Sequence, residues 1–166
     1  MPEIENKLFP ILLNSMAKEE SGKIAGGIEI ISRLTYFLNS ISPRLWEIYH
    51  QMINICFPPN IKNALEYSIG SSGFDYLIPM GVAFNNFISN DPLTFLSGSY
   101  QGKSNCERML ILINKTFEIS RNTKNNFSEI VGIKLICAII EALPGKVDHL
   151  IADFILTLVK LIESTK

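Results

Sequence analysis

The chain is short of charge and of the residues that usually do chemistry. Asp, Glu, Lys and Arg make up only 19% of its 166 residues, and 15 basic side chains nearly cancel 16 acidic ones. No basic patch dominates, which argues against a protein that holds nucleic acid by neutralising phosphates. Histidine occurs twice, at His50 and His149, and cysteine three times, at Cys56, Cys106 and Cys137. Neither histidine has a second His or Cys at the three- or four-residue spacing of a helical metal site. There is no Cys-x-x-Cys pair and no Gly-x-Ser-x-Gly elbow. Each cysteine stands in an apolar helical pattern, so buried reduced thiols in a reducing compartment are expected. The two histidines read as ordinary surface or half-buried side chains, and the lone Trp46 as a packing residue rather than a ligand platform. Glu19-Glu20, Glu118 and Glu129 are too scattered to suggest a catalytic pair.

Long hydrophobic runs are also missing. The most apolar stretch, Ile130 to Leu143, contains Lys134 and Glu141 and is too short to span a bilayer. The first residues, Met1-Pro2-Glu3-Ile4-Glu5, are acidic where a secretory leader is basic. What the chain does have is a 47% hydrophobic share arranged with helical periodicity. Seven main helices are predicted and no convincing strand. The first runs over Glu3–Lys18, with Pro10 inside it, so that it kinks or starts late; Ser21-Gly22 breaks it. The second covers Lys23–Leu38 and has two apolar faces, hence two neighbours. The third starts at Ser42-Pro43, a side-chain cap followed by a proline at the first helical position. Its stripe is Leu45, Ile48, Tyr49, Met52, Ile53 and Cys56, and Phe57-Pro58-Pro59 ends it. A short turn over Asn60–Ile69 and a loop at Gly70-Ser71-Ser72-Gly73 precede a fourth helix, Phe74–Ile88, kinked by Pro79.

Asp91-Pro92 repeats the cap-and-proline signal. A fifth helix covers Ser104–Ser120, and Asn122 to Asn126 forms a polar connection. The sixth, Ser128–Leu143, is apolar almost all round and is expected to be the most buried. The seventh, ended upstream by Pro144-Gly145, carries the stripe Val147, Leu150, Ile151, Phe154, Ile155, Leu158 and Ile162, with Asp148, Asp153, Lys160 and Glu163 opposite. Between the fourth and fifth helices, Gly98-Ser99-Tyr100-Gln101-Gly102-Lys103-Ser104 resembles the end of a phosphate-binding loop. It has three residues between its glycines where that motif needs four, and no strand precedes it. A solvated connection between helices is the reading adopted.

Helices of this length, often apolar on two faces and paired with a period of roughly 40 residues, predict an all-α fold. The form expected is an α-solenoid of antiparallel HEAT-like pairs, about three to four of them. A closed helical bundle is the structural alternative.

Ile41-Ser42-Pro43, Leu45-Trp46 and Gly73-Phe74-Asp75-Tyr76, joined by Met80, Asn86-Phe87-Ile88-Ser89 and Thr94-Phe95-Leu96-Ser97, carry a further signal. From Arg33 to Glu163 the text resembles the importin-β superfamily of nuclear transport receptors, or karyopherins, in the branch typified by importin seven and importin eight. The chain departs from that pattern between Ile55 and Ser72, where it carries extra residues including Pro58-Pro59. The resemblance implies armadillo-like tandem helical repeats in which Trp46 and Tyr76 fill space between neighbours. For the whole receptor it implies partners: cargo proteins, the GTPase Ran and nuclear pore proteins, in cytoplasm and nucleus.

The principal Ran contacts of the family lie in N-terminal repeats that this chain does not resemble, so no Ran- or cargo-binding residue is carried over. Residues 1–166 are therefore expected to be a single helical-repeat segment of a much longer, non-enzymatic receptor. No cofactor, no direct nucleic acid and no membrane is expected, and no catalytic or metal residue is named. The segment is expected to self-associate through exposed end helices. A helical scaffold or adaptor unrelated to transport, and a helical-bundle enzyme or ligand carrier, are the alternatives.

Overall fold

The computed structural model describes residues 2–17, 21–57, 74–123 and 127–164, and among these the chain is all-α with eight α-helices. Helix α1 is Pro2–Ala17, α2 Ser21–Tyr36 and α3 Pro43–Cys56. A 3-10 turn, Phe74–Tyr76, leads into α4, Leu77–Asn90, and α5 is the short helix Pro92–Ser97. Helix α6 is Asn105–Thr123, α7 Phe127–Ala142 and α8 Asp148–Ser164.

Local rules account for the starts of α3 and α5. Ser42 has extended backbone (φ −69°, ψ 155°), and its Oγ accepts the Leu45 N–H at 3.3 Å, with Pro43 opening the helix. The same hydroxyl donates to Glu5 of α1. Asp91 caps α5 by accepting the Thr94 N–H at 3.2 Å, again with proline next. Its other carboxylate oxygen accepts the Trp46 indole N–H at 3.2 Å. The two cap-and-proline signals are thus bridged in space by the one tryptophan.

The prolines inside helices do less damage than expected. Helix α1 neither starts late nor stops at Pro10. Leu12 and Met16 are buried on its far side, and that burial outweighs the roughly 3 kcal/mol a mid-helix proline costs. Pro79 is the third residue of α4, inside the first turn, where its missing N–H would have had no partner anyway. Ser21-Gly22, read as a break, begins α2. The expected turn over Asn60–Ile69, the Gly70 to Gly73 loop and Lys124–Asn126 lie outside the described residues; Asn122 and Thr123 belong to α6.

The helices pack in two rows. Helix α3 lies against α1 and α6, and α4 lies against α2 and α7. Across the rows, α1 meets α2, α3 meets α4, and α6 meets α7. One core runs between the rows, from Leu12, Ile28 and Ile31 through Tyr49, Met52, Phe84 and Phe87 to Met109, Phe117, Leu135 and Ile139. Buried Asn86 joins α4 to α2: its amide donates to Ser32 O at 2.9 Å and Thr35 Oγ1 at 3.1 Å, and Asn90 donates to Thr35 O at 2.7 Å. These side chains engage carbonyls of the last turns of α2, including ones no further helical turn can satisfy.

One described segment forms strands. Ser99–Tyr100 and Lys103–Ser104 pair antiparallel as a small hairpin, correcting the expectation of no strand. Its two turn residues, Gln101 (φ 51°) and Gly102 (φ 77°), are both left-handed, the backbone that a two-residue hairpin turn demands.

Candidate functional site

A broad concavity among the described residues lies along the seam of α4 and α7. Two glycines set how closely α7 approaches. A Cβ on Gly132 would stand 2.6 Å from Thr116 Oγ1 and 3.0 Å from the Phe117 ring, so only glycine lets α7 seat this tightly on α6. A Cβ on Gly81 would meet Val131 at 3.0 Å, which fixes the crossing of α4 and α7. On the outer side of that crossing the helices diverge and leave a groove of about 490 Å³. Helix α4 contributes Ile78, Val82 and Asn85. Helix α7 contributes Ile130, Ile133, Lys134, Cys137, Ala138 and Glu141. Ile78 is 53% exposed, Val82 58% and Ile130 48%. Together they make a contiguous apolar strip across two helices.

This groove overturns two expectations. Helix α7 was read as the most buried helix, yet Ile130, Ile133, Lys134, Cys137, Ile140 and Glu141 are all exposed along one side. The helix packs on α4 and α6 and has no neighbour over its third side among the described residues, whatever its hydropathy. Cys137 was read as buried and is exposed on that side; Cys56 and Cys106 are buried, and all three are free thiols. Burial pushes the Cys56 thiol up to about 12 and the Cys106 thiol up to about 11. The signal that would have found the groove was in the sequence. Lys134, Cys137 and Glu141 follow Ile130 at helical spacing and mark an outward face within an otherwise apolar helix.

A second concavity, of about 420 Å³, opens beside Trp46, Glu47, His50, Tyr100 and Asn105. His50 is not a surface side chain: it is 4% exposed and stacks on Tyr100 at 4.2 Å. Arg108 covers Tyr100 with its guanidinium 5.0 Å from the ring centre and donates to Asn54 at 2.9 Å. Burial, and then the Arg108 charge, lower the His50 pKa from 6.5 to about 4, so the imidazole is neutral at pH 7. His50 Nδ1 and Asn105 Oδ1 are buried without a hydrogen-bond partner. Tyr49 donates to Asn105 O at 2.8 Å, and burial first of all holds its hydroxyl well above the usual range. His149, on α8, is exposed.

The Gly98–Ser104 segment is built for helix capping. Ser104 Oγ accepts the Glu107 N–H at 3.0 Å, and the Glu107 carboxylate accepts the Ser104 N–H at 2.6 Å. This reciprocal cap was legible as Ser104-x-x-Glu107. It sets a carboxylate where a phosphate would have to sit, and that hydrogen bonding holds the Glu107 carboxyl below its ordinary value. Among the described residues no group of three His, Cys, Asp or Glu side chains is placed to hold a metal ion, and no helix is long and apolar enough to cross a membrane.

Of the residues that carried the family resemblance, Ser42 caps α3, Leu45, Trp46, Met80 and Phe95 are buried, and Tyr76 packs on the core. None of them lines the α4–α7 groove. Neither a protein-family profile nor a curated protein nor a solved structure matches the chain.

Proposed function

We propose that the chain is a protein-binding stretch of an α-solenoid of HEAT-like helix pairs, belonging to a nuclear transport receptor of the importin-β type. The observation that carries the reading is the two-row packing of α1–α3–α6 and α2–α4–α7, with an apolar groove open on the second row. Each rung pairs one helix of each row, the repeating unit of such solenoids. The transport role rests on the residues from Ile41 to Ser97 that resemble those receptors, and on their tasks here as caps and core.

The groove favours an apolar segment of a partner protein, most simply an amphipathic helix lying along α4 and α7. Lys134 and Glu141, two turns apart on its α7 wall, would select the charges that flank that segment. Such a site recognises and holds; the reading is of a non-enzymatic scaffold.

The test has two arms. The parent receptor should bind Ran loaded with GTP, and not with GDP, in a pull-down, and should bind nuclear pore proteins. Absence of both sinks the transport reading. Val82→Glu with Ile130→Glu, both at exposed positions, should abolish cargo capture by the receptor without lowering its melting temperature. Loss of cargo by these variants in a protein indifferent to Ran would favour a helical adaptor unrelated to transport, the second reading that the groove by itself supports.

A further inference from the structure

We infer that the concavity between α3 and the Gly98–Asn105 stretch is a binding site for a neutral primary carboxamide on a small apolar stem. Its walls come from α3, α5, the hairpin and the start of α6, and from none of the first two or last two helices. Two buried polar atoms on its lining residues have no partner: His50 Nδ1 and Asn105 Oδ1, on side chains 4% and 2% exposed. The third such atom among the described residues, Arg108 Nε, belongs to a side chain outside this lining. Buried polar groups are nearly always paired, so two orphans on one concavity point to a ligand.

Asn105 is clamped around its free oxygen. Its backbone N–H donates to Gly98 O at 2.8 Å, its amide nitrogen donates to Thr94 O at 3.0 Å, and its carbonyl accepts the Tyr49 hydroxyl at 2.8 Å. A Cβ on Gly98 would stand 2.5 Å from Thr94 O and 2.6 Å from Asn105 Nδ2, so the clamp needs glycine there. The donors nearby are spent, since the Trp46 indole N–H goes to Asp91. An acceptor at Asn105 Oδ1 calls for a ligand N–H. The neutral His50 imidazole has one bare and one protonated nitrogen, and a carboxamide suits either tautomer: its second N–H reaches a bare Nδ1, and its carbonyl accepts from a protonated one. A cation is disfavoured, because the burial and the Arg108 charge that keep a proton off His50 act on it as well. A carboxylate would face Asn105 Oδ1 and Glu47, the one charged side chain of the lining. Ile41, Pro43 and Trp46 supply the apolar wall for the stem.

Trp46 is the one tryptophan of the chain, so its indole N–H resonance in NMR spectra reads the site directly. Isobutyramide titrated into the full chain should shift that resonance saturably, with nuclear Overhauser contacts from its methyl groups to Ile41 and Trp46. Isobutyrate, the same shape without an N–H, and isobutyramidine, the same shape with a positive charge, should bind about tenfold more weakly or worse. His50→Phe keeps the ring and removes both nitrogens; it should weaken isobutyramide by about tenfold without lowering the melting temperature. Glu47→Gln, at an exposed position, and Val82→Glu, in the α4–α7 groove, should leave binding unchanged. Acetyl-glutamine methylamide separates the sources of the amide: tighter binding than isobutyramide assigns a glutamine of a partner protein, weaker binding a free small molecule. No saturable shift with either amide means that water alone meets the two atoms, and overturns the inference. So does an amidine or carboxylate that binds as tightly as the amide, or binding that His50→Phe leaves intact.

Discussion

Helix α4 has two contrasting sides. Toward α3 it buries Phe84 and Phe87 completely, in an aromatic cluster with Trp46 and Tyr49 whose rings meet edge-on or tilted at 5.0 to 5.6 Å. Away from α3 it presents Ile78 and Val82 to solvent beside the groove. Both sides are apolar. The first is closed by neighbours on α3 and anchored by the indole of Trp46, held by Asp91. The second has only a flank of α7, kept at its distance by Val131 against Gly81. Hydrophobicity alone does not separate a closed core from an open groove; the position of the next helix does.

Substitutions on the two sides should therefore differ most. Phe87→Ala is expected to cost about 3–5 kcal/mol in urea denaturation, because its cavity has rigid aromatic walls that cannot collapse. Val82→Ser, five residues before Phe87 on the same helix but on the open side, should stay within about 0.5 kcal/mol. Equal costs would mean that the groove is closed in solution.

On the closed side, acid should act through His50. Unfolded histidine takes up a proton below pH 6.5, whereas folded His50 resists it down to about 4. Its contribution is therefore fully present above pH 6.5 and is lost as pH falls from 6.5 toward 4, on the order of 3 kcal/mol across the window. His50→Phe keeps a ring against Tyr100 and strands no hydrogen-bond partner of Nδ1. It should flatten that slope in urea melts at several pH values; an unchanged slope would assign it elsewhere.

The remaining tests sharpen the contrast at smaller scale. Gly132→Ala should destabilise by about 1–3 kcal/mol, since Thr116 or Phe117 must shift to admit the methyl group. Ser42→Ala removes the cap of α3 and the hydroxyl that Glu5 accepts, and should cost about 1 kcal/mol. Finally, a thiol reagent at neutral pH should label Cys137 in the native protein, and Cys56 and Cys106 only on unfolding. Slower labelling of Cys137 in the presence of a partner would place that partner in the groove.

Much of the frame was legible before any packing was known. Ser42-Pro43 and Asp91-Pro92 mark helix starts because capping is a matter of three or four adjacent residues. The stripe Leu45, Ile48, Tyr49, Met52, Ile53 and Cys56 was read from spacing, and all six are buried. The hairpin escaped notice because two-residue strands carry no alternation to detect. His50 was misplaced because the ring that covers it, Tyr100, stands 50 residues away in sequence. The open side of α7 was missed because its isoleucines look the same whether or not a neighbour covers them.

By itself, then, the sequence determined the all-α class and most of the helices, since these follow from hydrogen bonds and periodicity within a few turns. Tertiary structure alone decided which apolar faces are closed. Ile136 and Ile139 are buried while Ile130 and Ile133 are exposed, on one helix and from one residue type. Burial depends on what stands a side chain's length away, and for α7 that is set by helices α4 and α6, whose closest approach two glycines permit.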